Sequence, residues 1–169
     1  RNIPLPCHGE TEARGCLLTT LRTPAGSVDV FNTHLGLDPD ERKEQAAALL
    51  SHLRALPAIL AGDLNEAADG PTLQTLLARF SDTGVAAQPL DRPETTPAAT
   101  YPADRPKHRI DYVLVSGPLD ILSSGVLSTS YTAQASDHRP YAADVRLRHP
   151  REQPVDKGVY DTDDERVNE

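Results

Sequence analysis

The chain has 169 residues, the size of one ordinary domain, and is long enough to bury a sizeable core without disulfide or metal staples. Its formal charge of −8 argues against a protein that simply coats nucleic acid, because such binding draws on clustered Lys and Arg to neutralise phosphates. That charge still admits an enzyme acting on phosphates, since a divalent metal supplies positive charge that the side chains do not.

Cys7 and Cys16 define no disulfide framework, and with His8 beside them they offer too few ligands for a zinc site. No apolar run is long enough to span a bilayer, and none has the charged-then-apolar form of a signal peptide. The sequence therefore reads as soluble, with the compartment undetermined. Much of the acidity lies at the end, where Asp161, Asp163, Asp164 and Glu165 crowd together with few apolar neighbours. Residues 1–149 are expected to fold, and residues 150–169 to form an acidic, disordered tail.

Cys16 to Arg22 and Val28 to Thr33 are rich in Val, Leu and Thr, and Thr23-Pro24-Ala25-Gly26 between them has the residues of a turn, which predicts a hairpin. Asp38-Pro39-Asp40-Glu41 has the form of a helix start, with Asp38 as N-cap, Pro39 in the first position and Glu41 three residues after the cap. Ala46, Leu49, Leu50, Leu53 and Leu56 then form an apolar stripe that Pro57 ends. Ala58 to Ala61 predicts a buried strand, and Leu73, Leu76, Leu77 and Phe80 a second helix. From Ala87 to Pro106 the chain is rich in Pro, Thr and Ala without periodicity, which predicts a long loop. Ile110 to Ser116 reads as a strand, Ile121 to Thr129 as a weaker one, and Tyr141 to Leu147 alternates as a half-buried strand should. Strands interspersed with two helices give an α/β chain.

Four polar clusters stand at the ends of apolar runs, where a rigid scaffold displays side chains. In Gly62-Asp63-Leu64-Asn65, an extended backbone would point Asp63 and Asn65 to one side, a pair suited to holding a water or metal beside a phosphoryl oxygen; an Asx-type turn leaving the strand explains the same residues. In Arg109-Ile110-Asp111-Tyr112, Asp111 shares a face with Val113 and Val115 and needs a partner, either Arg109 or Lys107 in a salt bridge or His138. Ser136-Asp137-His138-Arg139-Pro140 sets a carboxylate beside an imidazole; Asp111 accepting from one ring nitrogen of His138 would fix its tautomer and leave the other facing substrate. In Asn32-Thr33-His34, His34 is a second phosphate donor or a structural histidine.

These four segments, in this order, resemble the endonuclease/exonuclease/phosphatase superfamily of deoxyribonuclease I-like metal-dependent phosphoesterases, over roughly Arg14 to Leu147. The resemblance implies an α/β fold, a four-layer αββα sandwich of the deoxyribonuclease I-like type. It further implies a nuclease, phosphodiesterase or phosphatase that hydrolyses a phosphoester by in-line attack of water with Mg²⁺, or Mn²⁺ in its place. By that resemblance Asp63 orients or deprotonates the water, Asn65 holds a phosphate oxygen, and His138 paired with Asp111 stabilises phosphoryl charge. Asp137 and Asp63 lie near the metal, and His34 contacts phosphate.

Family members begin with a strand bearing an Asn and a later Glu that is the principal metal ligand. Glu10 and Glu12 lie in a polar stretch unlike that motif. The chain is therefore expected to be the C-terminal portion of such a domain, with the N-terminal half, roughly a hundred residues, missing. Little activity is then expected of it alone, and a complementing N-terminal half is the expected partner beside a phosphoester substrate. The alternative is a non-catalytic remnant or subunit. Lys107-His108-Arg109 is too short a basic run to select DNA or RNA over an inositol phosphate or phospholipid, so the substrate is left undefined.

Overall fold

The structure is a computed structural model, which describes residues 1–86, 88–89, 95–96, 99–129 and 131–149. The expected tail, 150–169, and part of the expected loop from Ala87 to Pro106 lie outside the described residues. The chain runs β1 (Asn2–Pro4), β2 (Gly15–Thr23), β3 (Gly26–His34), α1 (Pro39–Ser51), β4 (Ala58–Asp63), α2 (Pro71–Leu77), β5 (Ser81–Asp82) and α3 (Thr83–Ala86). It continues through β6 (Gln88–Pro89), β7 (Thr95–Thr96), β8 (Asp111–Ser116), β9 (Leu119–Leu127), α4 (Thr132–Ala135) and β10 (Tyr141–Leu147).

The hairpin forms between β2 and β3, closed by Thr23, whose hydroxyl donates to the Gly26 carbonyl at 2.8 Å and accepts from the Ala25 N–H at 3.2 Å. From β3 the chain crosses over through α1 to β4, which therefore lies parallel to β3. β8 returns antiparallel on the other side of β4, giving a sheet of order β1-β2-β3-β4-β8-β5. A second sheet, of order β10-β9-β6 with β7 also paired to β9, packs against it.

Alternation along the first sheet decides what each face meets. Phe31, Leu60, Tyr112 and Leu114 point towards the helices and pack with Leu49, Leu73 and Leu76 in the larger core. Val28 and Val115 point the other way and meet Leu119 of the second sheet, with Ile59, Ile121, Val145 and Leu147 around them. The molecule is thus mixed α/β, with helices on one face of the first sheet and a second sheet on the other. Leu17 and Leu21 share the Val28 side through the β2–β3 register, yet are 53% and 49% exposed.

Three local expectations change. Asp38 caps α1, accepting from the Asp40 and Glu41 N–H groups at 3.0 and 2.9 Å. Glu41 does not complete a capping box: its carboxylate turns inward and accepts from the His8 N–H (3.1 Å), the Thr11 hydroxyl (2.6 Å) and the Gln45 amide (2.8 Å). At 1% exposure it must be bonded, and the chain before β2 together with Gln45 of α1 supplies the donors. Nor does α1 reach Pro57; the His52 N–H closes onto the Leu49 and Leu50 carbonyls and ends it. Leu53 still packs against the core from beyond the helix, as does Phe80 beyond α2. Finally, β9 spans nine residues rather than a weak stretch, and the expected structureless loop contains β6 and β7 in its described parts.

Cys7 and Cys16 are free thiols, and burial pushes Cys16 up to about 11. The buried Asp29 of β3 accepts from the Arg54 guanidinium and the Thr20 hydroxyl. Arg54 foremost holds its carboxyl below the ordinary aspartate value, against the opposing effect of burial. A depressed acid stabilises the fold above its unfolded pKa and loses that contribution as pH falls through the folded one. Asp29→Asn is therefore expected to lower the urea midpoint at neutral pH and to flatten its decline in acid. A variant whose acid decline parallels the parent's would contradict that account.

Candidate active site

The site starts from strand register. His34 is paired with Asp63 across the parallel β3–β4 ladder, and Asp63 with Asp111 across the antiparallel β4–β8 ladder. Residues directly opposite on neighbouring strands share a face, so the last residues of β3 and β4 and the first of β8 form one row at one end of the sheet. His34 Nε2 lies 3.3 Å from Asp63 Oδ2.

Gly62 permits this approach: its φ is +142°, and a Cβ there would collide with the Thr33 carbonyl. Beyond Asp63 the chain turns at once. The Asn65 N–H donates to Asp63 Oδ1 at 2.8 Å, and Asn65 has a φ of +50°. The extended backbone that would align Asp63 with Asn65 is thus replaced by an Asx-type turn, in which Asn tolerates the left-handed conformation. The Asn65 amide reaches across to donate to the Leu35 carbonyl at 2.8 Å, and the Leu35 N–H donates to the Asp63 carbonyl at 3.0 Å. Both readings of Gly62-Asp63-Leu64-Asn65 meet here, because the turn aims Asp63 Oδ2 at the histidines.

His138 comes from the segment before β10. Its Nδ1 bonds Asp111 Oδ2 at 2.8 Å, and its Nε2 lies 3.8 Å from Asp63 Oδ2. Arg109, one of the two cations considered for Asp111 beside Lys107, is engaged with Asp82 at 2.7 and 2.5 Å. The Asp137 carboxylate lies outside the cluster: next to His138 in sequence it points away, and its Oδ1 meets the Ser136 hydroxyl at 3.4 Å. The pattern of motifs gave no role to Tyr101, whose ring centroid lies 4.8 Å from that of His138. An aromatic in an aperiodic segment carries no periodicity by which to find it.

Charge in the cluster is opposed and shared. Burial of Asp63 raises its pKa and the neighbouring Asp111 charge adds to that, against the Asn65 N–H and the two histidines. Burial alone would lower His138, but its bond to Asp111 and the charges of Asp111, Asp63 and Asp137 outweigh it and leave the imidazole raised. Among the described residues, the ligand atoms of Asp63, Asp111 and His138 lie within 4.8 Å of one another, close enough to hold a cation. Beside them opens a cleft of about 370 Å³ lined by Asn32, Gly62, Asp111, Ser136, His138 and Tyr141 among others. A half-buried carboxylate pair and an oriented imidazole beside a cleft are the kind of grouping that suits displacement at a charged centre.

Residues 15–138 match the Endonuclease/Exonuclease/phosphatase family, and the chain belongs to that family. Among solved structures it is similar to a conserved protein of unknown function from Enterococcus faecalis V583, with TM-score 0.73 at 21% identity, over 88% of this chain and 65% of that one. An endonuclease/exonuclease/phosphatase from Beutenbergia cavernae DSM 12333 gives TM-score 0.70 at 29% identity, over 87% of this chain and 44% of that one. A mannosyl-6-phosphatase from Bacteroides thetaiotaomicron VPI-5482 gives TM-score 0.67 at 22% identity, over 79% and 57%. The chain therefore spans less than two thirds of the length of each. A comparison with curated protein sequences returned no match.

The turn at Asn65 has a measurable signature. At a left-handed position Ala is disfavoured by about 1 kcal/mol relative to Gly, so Asn65→Ala is expected to be less stable in denaturant unfolding than Asn65→Gly. The opposite order would mean the residue is extended.

Proposed function

We propose that the site hydrolyses a phosphoester with the help of a divalent cation. The observation that carries the proposal is the joining of Asp63, Asp111 and His138 in one cluster within a chain of the Endonuclease/Exonuclease/phosphatase family. The donor set fits a hard cation: two carboxylates side by side, one of them with a raised pKa, gain from a positive charge between them. Asp63 and Asp111 would hold it, Mg²⁺ first and Mn²⁺ as a substitute, with Asp137 adding negative charge nearby. Bound there, the cation would neutralise charge on a phosphoryl oxygen.

The chain's own groups divide the remaining work. Asp63 Oδ2 orients a water and accepts its proton. Asp111 holds the Nδ1–H of His138, so that Nε2–H is presented to the phosphoryl oxygens as charge builds there. His34, half exposed at the rim, is a second donor, and Asn65 sets the direction of Asp63 through its backbone N–H. The reading extends to phosphomonoesters and phosphodiesters alike. The phosphatase named above, whose fold this chain shares, is in keeping with it.

A second reading, that this site needs a further polypeptide to complete it, is favoured by the exposed Leu17 and Leu21 on the inner side of β2. Turnover of bis(p-nitrophenyl) phosphate by the purified chain separates the two. Slow hydrolysis that requires Mg²⁺ or Mn²⁺ and drops roughly a hundredfold or more in Asp63→Ala and in His138→Ala is expected. Hydrolysis that persists with chelator or in Asp63→Ala would sink the proposal. A folded chain without turnover, activated by a polypeptide that covers Leu17 and Leu21, would favour the second reading.

A further inference from the structure

The inward face of α1 carries polar side chains where its neighbours are apolar. Gln45 is fully buried and Arg42 is 8% exposed, and groups of this kind are costly inside unless their bonds are made. Both bond to backbone atoms of the loop after β3. Gln45 Oε1 accepts from the Gly36 N–H at 2.8 Å, while its Nε2 donates to the Pro6 carbonyl at 2.9 Å and to Glu41. Arg42 Nη1 donates to the Gly36 and Leu37 carbonyls at 3.2 and 2.6 Å. Gly36 is thus held at both its N–H and its carbonyl, two residues beyond His34.

Arg42 also reaches the other loop of the site. Its Nη2 meets Glu66 Oε1 at 3.3 Å, and this pair is largely buried. Glu66 follows Asn65, and its second oxygen accepts from the Leu73 N–H at 2.8 Å, serving the first turn of α2 where Gly70 has no capping side chain. The Glu66 carbonyl in turn accepts from the Tyr112 hydroxyl at 3.0 Å. One guanidinium therefore ties the loop after β3 to the loop after β4, and both helices are bonded to those loops.

We infer that Arg42 and Gln45 are positioning residues of the active site. From behind the sheet they lock the segment following His34 against the segment following Asp63, and so fix the separation of His34, Asp63 and Asn65. The inference takes the site to be the hydrolytic one proposed above. Neither residue touches the cleft, and their effect runs through the backbone of Leu35, Gly36, Leu37 and Glu66.

Amide hydrogen exchange on the full chain, combined with steady-state hydrolysis of bis(p-nitrophenyl) phosphate, tests it. In Arg42→Met the Leu35, Gly36 and Asn65 amides are expected to exchange roughly tenfold faster or more, while those of Phe31 and Leu60 stay within about twofold of the parent. The same variant should lose roughly tenfold or more in kcat with KM nearly unchanged, and Arg42→Lys should recover part of both. Unaltered loop amides in a folded variant, or sheet amides accelerated by the same factor, would overturn the inference. If Arg42→Met does not fold, Arg42→Lys and Gln45→Glu carry the same comparison. Loosened loops together with turnover indifferent to Asp63→Ala would refute the hydrolytic reading and leave the clamp standing.

Discussion

The register of β4 between its two neighbours is the constraint on which the rest of the site depends. His34, Asp63 and Asp111 come from segments far apart in the chain, yet ladder pairing sets them in one row. Side chains alternate along a strand, so a slip of one residue in either ladder would send part of the row into the helix-facing core. Gly62 guards that register from within, since its lack of a side chain lets β4 lie against the Thr33 carbonyl. The apolar residues on either face make a slipped register expensive, with Leu60 and Leu114 under the helices and Ile59 and Val115 towards the second sheet.

Placed in that row, two carboxylates repel each other, and the structure answers with imidazoles on two sides. His34 approaches Asp63 from the neighbouring strand, and His138 bridges towards both acids from the segment before β10. Asp111 is committed to Nδ1 of His138, which leaves Asp63 with one oxygen in its own turn and one facing the histidines. The two acids thus have different environments and can take different roles. Behind the row, the bond network from α1 gives the loops a fixed backing without adding charge to the cleft.

Much of this was readable from the sequence because the relevant signals are local. The hairpin follows from two β-rich runs around Thr23-Pro24-Ala25-Gly26, the start of α1 from Asp38-Pro39, and the bond of Asp111 to His138 from a carboxylate on an otherwise apolar strand face. What escaped was set by tertiary contacts. Glu41 sits where a capping box would use it but turns to the chain before β2, and α1 stops at its own C-cap short of the proline that the apolar stripe pointed to. Arg42 and Gln45 drew no reading from the sequence, because most of their partners are backbone carbonyls and amides, which have no sequence signature. The direction of Asn65 depended on a single backbone angle that an extended reading of Gly62-Asp63-Leu64-Asn65 misses.

That angle restricts what evolution can do at the position. The left-handed φ alone leaves Asn, Asp and Gly as the comfortable choices. The side-chain N–H donated to the Leu35 carbonyl, which neither an ionised Asp nor a Gly can supply, singles out Asn among them. The asparagine therefore serves the fold twice, through its backbone angle and through the bond its amide makes. A relative lacking Asp63 or His138 would still need a small turn-forming residue there for the fold. On the proposed function, the presence of the two acids with His138, rather than of Asn65, is the sign that would separate hydrolytic relatives from those sharing only the turn.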